Sequence, residues 1–349
     1  MRTPSIIPRG AGFTLVEVMV SMAIIILLLL VLVSITDSTQ KTWLYTTTKV
    51  SQFRDAREAF EAITRKLSQS TLNTYLDYDY PTDASGAPDK TQPPKRYARQ
   101  SELRFISGVA GALLSTANAA NCPTHAIFFM APLGFTDEAS YSDLNKLLNT
   151  CGYYIEFGSD SQVRPDFLKG NVVPLRYRFR LMEMVEPAES LTLYKYTNAN
   201  PTYADTQWFN DPLSSASPPA QVRAENIVAL VILPKLTPEE DPTGIKLASH
   251  YTYDSTKTDG DASVNPKNQL PPVIQVTMVA VDEASFSRLQ ASSTSMPDLF
   301  NSKSFTDAAQ YDKDLEALET TLRDKKLNYR VFTTNISIKA AKWSREQQN

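Results

Sequence analysis

Two histidines, His125 and His250, and two cysteines, Cys122 and Cys151, are all that the chain holds of the side chains most often used as bases, nucleophiles or soft metal ligands. His125 precedes the apolar run Ala126-Ile127-Phe128-Phe129, and His250 sits in a polar loop. A catalytic base needs a nucleophile and a carboxylate within reach, and no local pattern supplies them, so both histidines read as structural or surface residues. The cysteines form no CxxC, which leaves too few ligands in any familiar zinc spacing. Asp254, Asp259 and Asp261 around Gly260 offer oxygens to calcium, but their spacing departs from the EF-hand loop and suits a solvated turn. No GxxxxGK[ST], GxGxxG or GxSxG occurs. The expectation is a chain without metal, cofactor or catalytic centre.

One acid stands where an acid is costly. Residues 18–36 are 19 residues without a charge, mostly Ile, Leu, Val and Met, about the length a helix needs to cross the hydrocarbon core. Glu17 lies at its border, where an acid within an apolar helix costs about 2.5–3.5 kcal/mol and usually marks function. Arg2 and Arg9 are the only charges before it, so the positive-inside rule keeps that end cytoplasmic and sends the chain after Asp37 outward. A secretory signal would close the apolar stretch with small residues, and Leu32-Val33-Ser34-Ile35-Thr36 lacks that pattern. A plain anchor accounts for the length and leaves Glu17 unexplained.

The run Gly12-Phe13-Thr14-Leu15-Val16-Glu17-Val18-Met19-Val20 resembles the prepilin signal of type IV pilins and type II secretion pseudopilins. The resemblance implies cleavage after Gly12 by a prepilin peptidase, N-methylation of Phe13, and a role for Glu17 in assembly. The freed amino group of Phe13 is a cation at the membrane face, and Glu17 of a neighbouring subunit is positioned to pair with it.

The elements that must carry this segment follow from pattern. No Gly or Pro occurs in residues 13–80, a span of 68 residues in a chain with 11 Gly and 22 Pro. Val50, Phe53, Ala56, Phe60, Ile63 and Leu67 recur at three- and four-residue steps among charges, which predicts one continuous helix to near Leu72, about 90 Å long, with Thr46-Thr47-Thr48 its weak point. Residues 81–94 read as a Pro-rich loop. Strands are predicted at 102–107, 124–130, 152–157, 175–184, 227–233, 273–281 and 329–338, and further helices at 283–292 and 306–326. The alternation Leu175-Arg176-Tyr177-Arg178-Phe179-Arg180 predicts a sheet with one wet face. The fold class is α+β: a long N-terminal transmembrane and amphipathic helix packed on an antiparallel, β-rich, pilin-like domain. Its organisation is leader 1–12, membrane part 13–36, amphipathic part 37–80 and exported domain 81–349. Cys122 and Cys151 then lie on the exported side, where thiols are commonly oxidised, and a disulfide between them is expected.

The stretch from Arg57 to Leu67, with the later Leu270-Pro271-Pro272-Val273, resembles the minor pseudopilin J group. The ending Asn328-Tyr329-Arg330-Val331-Phe332 with Ala341-Lys342-Trp343-Ser344 resembles the Verru_Chthon cassette protein C family. The prepilin and pseudopilin resemblances imply a minor pilin-like or pseudopilin-like structural subunit in a bacterial inner membrane, single-pass, with its C-terminal domain in the periplasm or a fibre. The implied partners are the prepilin peptidase, other pilin-like subunits, an inner-membrane assembly platform with its ATPase, and membrane lipid. Nucleic acid is not among them, since a net charge of −3 from 35 basic and 38 acidic residues gives no extended basic field. Two other classes stand beside this one. An adhesin or ligand-binding module at a fibre tip would present an aromatic groove, using Trp208, Tyr251 or Tyr253. A membrane-anchored enzyme would join His125 or His250 to a nucleophile and a carboxylate.

Overall fold

Helix-compatible residues free of Gly and Pro run unbroken from Leu15 to Leu67, and nearly all of that span is helical in a computed structural model. The structure describes residues 14–83, 87–115, 119–161, 164, 175–197, 206–257, 264–290, 294–301 and 304–343, with backbone alone for 41–52, 196 and 197. It divides into two compact units, Met1–Gln52 and Phe53–Asn349.

The expected single helix is two. Helix α1 covers Leu15–Gln52 and helix α2 covers Arg54–Leu67; between them Phe53 takes φ −104° and ψ 8°, outside helical geometry. Phe53 is half-buried and packs against the core of the second unit. The backbone stays helical through Thr46-Thr47-Thr48. The amphipathic helix also ends earlier than expected, at Leu67.

The second unit is built around antiparallel strands. A two-stranded ribbon pairs β1 (Tyr75–Asp79) with β2 (Arg96–Gln100), so the predicted 81–94 loop is the connection of a hairpin. Six strands form the largest sheet: β3 (Phe105–Val109), β4 (His125–Pro132), β5 (Leu148–Ser159), β6 (Tyr177–Glu186), β7 (Ala220–Glu225) and β9 (Tyr253–Asp254), in the order β7-β6-β5-β4-β3-β9. A third sheet has the order β11-β10-β8, from β8 (Ile227–Lys235), β10 (Val273–Val281) and β11 (Tyr329–Ser337). Among the described residues the remaining α-helices are α3 (Ala110–Leu113), α4 (Thr192–Thr197), α5 (Gln207–Leu213), α6 (Glu283–Gln290) and α7 (Tyr311–Asp324). The architecture is α+β with antiparallel sheets.

One residue carries the chain from one sheet to the next. Asn226 separates β7 from β8 at φ +59°, a left-handed conformation that Asn tolerates better than most residues. Its amide donates to the Phe179 carbonyl of β6 at 2.7 Å and its carbonyl accepts from Val281 of β10 at 2.9 Å, so the corner is bonded to both sheets. At the centre, β4, β5, β8 and β10 are buried almost end to end, which explains their continuous apolar sequences. Gly152 pairs with Phe128, and a Cβ there would come within 2.2 Å of the Phe128 ring, which stacks on Phe209 at 3.8 Å. Glycine at this position is a packing requirement.

Helix α2 seals one side of the core with Ala56, Ala59, Phe60, Ile63 and Leu67, at the helical steps read from sequence. The two alanines allow close approach, and the Phe60 ring lies 5.7 Å from that of Phe332 on β11. Its outward face carries the pairs Arg54–Glu58 and Arg57–Glu61, each at 2.9 Å and each worth no more than about 0.5 kcal/mol.

The arginine alternation on β6 does not mark a wet face. Arg178 and Arg180 are both buried, and α6 brings a carboxylate to Arg178. Arg178 donates to Glu283 at 2.7 Å, to Ser287 at 2.9 Å and to the Tyr177 carbonyl at 2.7 Å, and its guanidinium lies 5.4 Å from the Phe286 ring centre. Arg180 donates to the Gly158 carbonyl at 2.9 Å, and burial lowers its pKa.

Candidate assembly interface

Helix α1 begins with a reciprocal pair. The Glu17 amide donates to Thr14 Oγ1 at 3.3 Å, and Glu17 Oε2 accepts from the Thr14 amide and hydroxyl, both at 3.2 Å. This is a capping box: each residue satisfies an amide that the first helical turn leaves without an intrahelical acceptor. The Thr-x-x-Glu spacing ahead of an apolar run is visible in the sequence, where it was read for assembly alone. Glu17 therefore shapes the helix start of its own chain as well as offering a charge. Gly12 and Phe13, the expected cleavage and methylation positions, lie outside the described residues.

Beyond the box, Leu15–Gln40 is a 26-residue stretch containing a window of mean hydropathy 3.2, and none of that window is buried. Leu15 is 77% exposed and Leu30 66%. The hydroxyls within it turn inward on the helix, Ser21 Oγ to the Glu17 carbonyl at 2.7 Å and Thr36 Oγ1 to the Leu32 carbonyl at 2.8 Å. Such local satisfaction suits a lipid environment, where a free polar group has no water to turn to.

The other sequence candidates are scattered through the second unit. His125 is fully buried on β4; its Nδ1 accepts from the Ile232 amide at 3.0 Å and its Nε2 lies 2.9 Å from the Phe305 carbonyl, which together define a neutral ring with the proton on Nε2. Burial lowers its pKa to about 4, against the opposing effect of those two backbone bonds. Its ring lies 4.5 Å from that of Tyr251. His250 is exposed, with Nδ1 3.3 Å from the Thr306 carbonyl. Trp208, Tyr251 and Tyr253 are at most 2% exposed, so they are core residues and form no surface groove. The large exposed aromatics of the strands are instead Tyr75, Tyr78 and Tyr97 of the β1–β2 ribbon. Asp254 Oδ1 accepts from the Thr256 amide and hydroxyl, and Oδ2 lies 3.4 Å from Lys257 Nζ. Asp259 and Asp261 are outside the described residues, and no group of three His, Cys, Asp or Glu among the described residues is disposed to hold a metal.

Cys122 and Cys151 are not brought together. No disulfide joins these two buried thiols, and burial raises each pKa to about 12. Their charged neighbours place them on opposite sides of β5. Cys151 shares its environment with Lys66 and Glu183, and Cys122 with Glu156 and Tyr154. Successive residues of a strand point to opposite faces, so Cys151 and Tyr153 look one way and Tyr154 and Glu156 the other.

Sequence reasoning missed the polar cluster behind Cys151. Lys66 of α2 donates to Glu183 of β6 at 2.9 Å, and the Tyr153 hydroxyl donates to the same carboxylate. Burial raises the Glu183 pKa, and the bonds from Tyr153 and Lys66 outweigh it, so the group is held below its usual value. The cluster ties α2 to the large sheet beside a cleft of about 650 Å³ whose walls include Pro132, Phe135, Pro187 and Pro219.

Residues 8–33 match the family model described as the prokaryotic N-terminal methylation motif. No curated protein and no solved structure matches the chain. The motif and the helix that it opens are those of a type IV pilin-like prepilin signal, and they support a pilin-like or pseudopilin-like subunit anchored by a single membrane span.

Proposed function

We propose that this chain is a minor pseudopilin-like or pilin-like structural subunit of a type II secretion or type IV pilus-like assembly, and that it performs no catalysis. The observation that carries the reading is the methylation motif at residues 8–33 leading directly into an unburied apolar helix. In this reading a prepilin peptidase cuts after Gly12, Phe13 becomes the methylated N-terminus, and the apolar face of α1 packs first in lipid and then against α1 of other subunits. An inner-membrane platform and its ATPase supply the work of assembly. The second unit faces the periplasm or the outside of a fibre, consistent with the basic residues Arg2 and Arg9 on the cytoplasmic side.

The test is the mass and N-terminal sequence of mature protein purified from the membranes of cells that make the peptidase. An N-methylated Phe13 terminus is expected. A terminus between residues 34 and 38, or an uncut chain, overturns the proposal.

A further inference from the structure

Two strands of the second unit end in open edges, and their chemistry is complementary. Strand β11 pairs along all nine residues with β10, from Val273↔Ser337 to Val281↔Tyr329, and has no strand on its other side among the described residues. The usual protections of a sheet edge are missing from it: it holds no Pro and no Lys, and its ladder with β10 has no bulge. Arg330 is its single charge. Beside this edge, β11 and α2 form a cleft of about 660 Å³ whose wall includes Arg57 and Phe60.

The second open edge belongs to β1. A two-stranded ribbon is marginal by itself and gains from a third strand. Tyr75, Leu76 and Tyr78 of β1 are 48%, 57% and 54% exposed, more than a strand ordinarily leaves to water. Strand β1 carries Asp77 and Asp79 and no base. Asp79 is already paired with Arg96 at 2.9 Å, whereas Asp77 accepts from the adjacent Tyr78 amide at 2.7 Å.

We propose that β11 accepts the β1 strand of a second copy, edge to edge, so that neighbouring subunits share a sheet. Main-chain hydrogen bonds supply the pairing, Asp77 of one copy faces the Arg330 side of the other, and the Tyr and Leu side chains of β1 cover exposed surface next to the cleft. Donor and acceptor are different strands, so the contact is heterologous and repeats from copy to copy, as a fibre requires. The proposal deepens the fibre-subunit reading and rests on it.

The experiment uses full-length chains in bilayer nanoparticles, one carrying Leu76→Cys and the other Thr333→Cys, which the Asp77–Arg330 register brings within reach of each other, treated with a flexible bis-maleimide. Both positions are exposed, and wild-type chain controls for the buried native thiols. Mixed dimers from the two variants together, and none from either alone, are expected. Arg330→Glu should lower the mixed yield about fivefold, and Asp77→Arg in the other chain should restore it. No mixed product, like-with-like dimers in equal amount, capture of a different protein at Thr333→Cys, or indifference to charge reversal overturns the proposal. The N-terminus of the same sample is sequenced in parallel. A methylated Phe13 without mixed dimers discards the edge pairing and spares the fibre-subunit reading, whereas any other terminus discards that reading whatever the cross-link shows.

Discussion

Glu17 joins two roles that substitution can separate. Its carboxylate closes the capping box with Thr14, and Gln can fill that place because its side-chain oxygen accepts the same amide. Pairing with a neighbour's terminal amino group needs the charge. Glu17→Ala should lose both roles, with a helix-start cost of about 1 kcal/mol, while Glu17→Gln should keep the cap and lose assembly. Co-purification with other pilin-like subunits from membranes is the readout; a Gln variant that assembles as wild type does leaves the acid as a cap alone. In the second unit, Glu283 ties the ionisation of one carboxylate to the fold. Burial pushes its pKa up, but bonds from Arg178, Asn226 and Ser287 outweigh that and hold it at about 2, against an ordinary value of 4.5. A depressed carboxylate stabilises the fold at pH values above its unfolded pKa, so this contribution is complete above about 4.5 and is lost as pH falls towards 2. Glu283 is 45% exposed, so screening makes the effect smaller than the shift alone implies. Glu283→Gln, which leaves Arg178 buried without its counter-ion, should cost about 1–2 kcal/mol at pH 7 and flatten the acid limb of a pH–melting curve. An unchanged limb would assign the acid sensitivity to other carboxylates.

At the scale of elements, what could be read in advance was whatever the core buries on both faces. Strand β10 occupies residues 273–281, as expected from its unbroken Val, Ile and Met, and β4, β5 and β8 lie within a few residues of their predicted places. Of the missed strands, β1, β2 and β7 are largely exposed or half-buried with polar or charged side chains among them, so their pairing comes from neighbours and not from a local apolar signal, and the buried β9 is only two residues long. The two buried arginines of β6 were misread for a related reason: alternation specifies two faces but not what meets them, and Glu283 of α6 reaches Arg178 from more than 100 residues away while Arg180 turns to the Gly158 carbonyl. The disulfide failed on the same ground, since a compartment and a loop length cannot tell which face of β5 a thiol occupies. The candidate site was more legible, because a prepilin signal is a contiguous string. Its capping box lay within that string, whereas no local residue marks the break at Phe53. Gly152 tests the element-level account of the centre. Gly152→Ala places a methyl against the Phe128 ring, which is held between β5 and Phe209, so the ring has little room to yield. The expected loss is about 2–3 kcal/mol in chemical denaturation, and a variant within 0.5 kcal/mol of wild type, a change of surface size, would contradict the packing described for β4 and β5.

For the whole molecule, the division at Phe53 separates a segment whose side chains need lipid or partners from a unit with its own interior. Among the described residues the hydrophobic core runs from Ala56 onward, with Phe53 packed against it, while the membrane-length window of α1 is unburied. Burying a large apolar side chain contributes about 1.5–3 kcal/mol, and all of those contributions in the described core come from the second unit. The polar ties that hold α2 in place, Lys66 to Glu183 and the Lys339 amide to the Ser68 carbonyl at 3.3 Å, also lie within 53–349. A chain starting at Phe53 should therefore fold without detergent and show a cooperative thermal transition with β-rich circular dichroism. Within that fragment, Ile63→Ala should cost about 2–5 kcal/mol, because Ile63 is fully buried at the centre of the α2 contact. A fragment that lacks a cooperative transition, or tolerates Ile63→Ala without loss, would show that the interior depends on α1 and that the boundary at Phe53 does not separate independently stable parts.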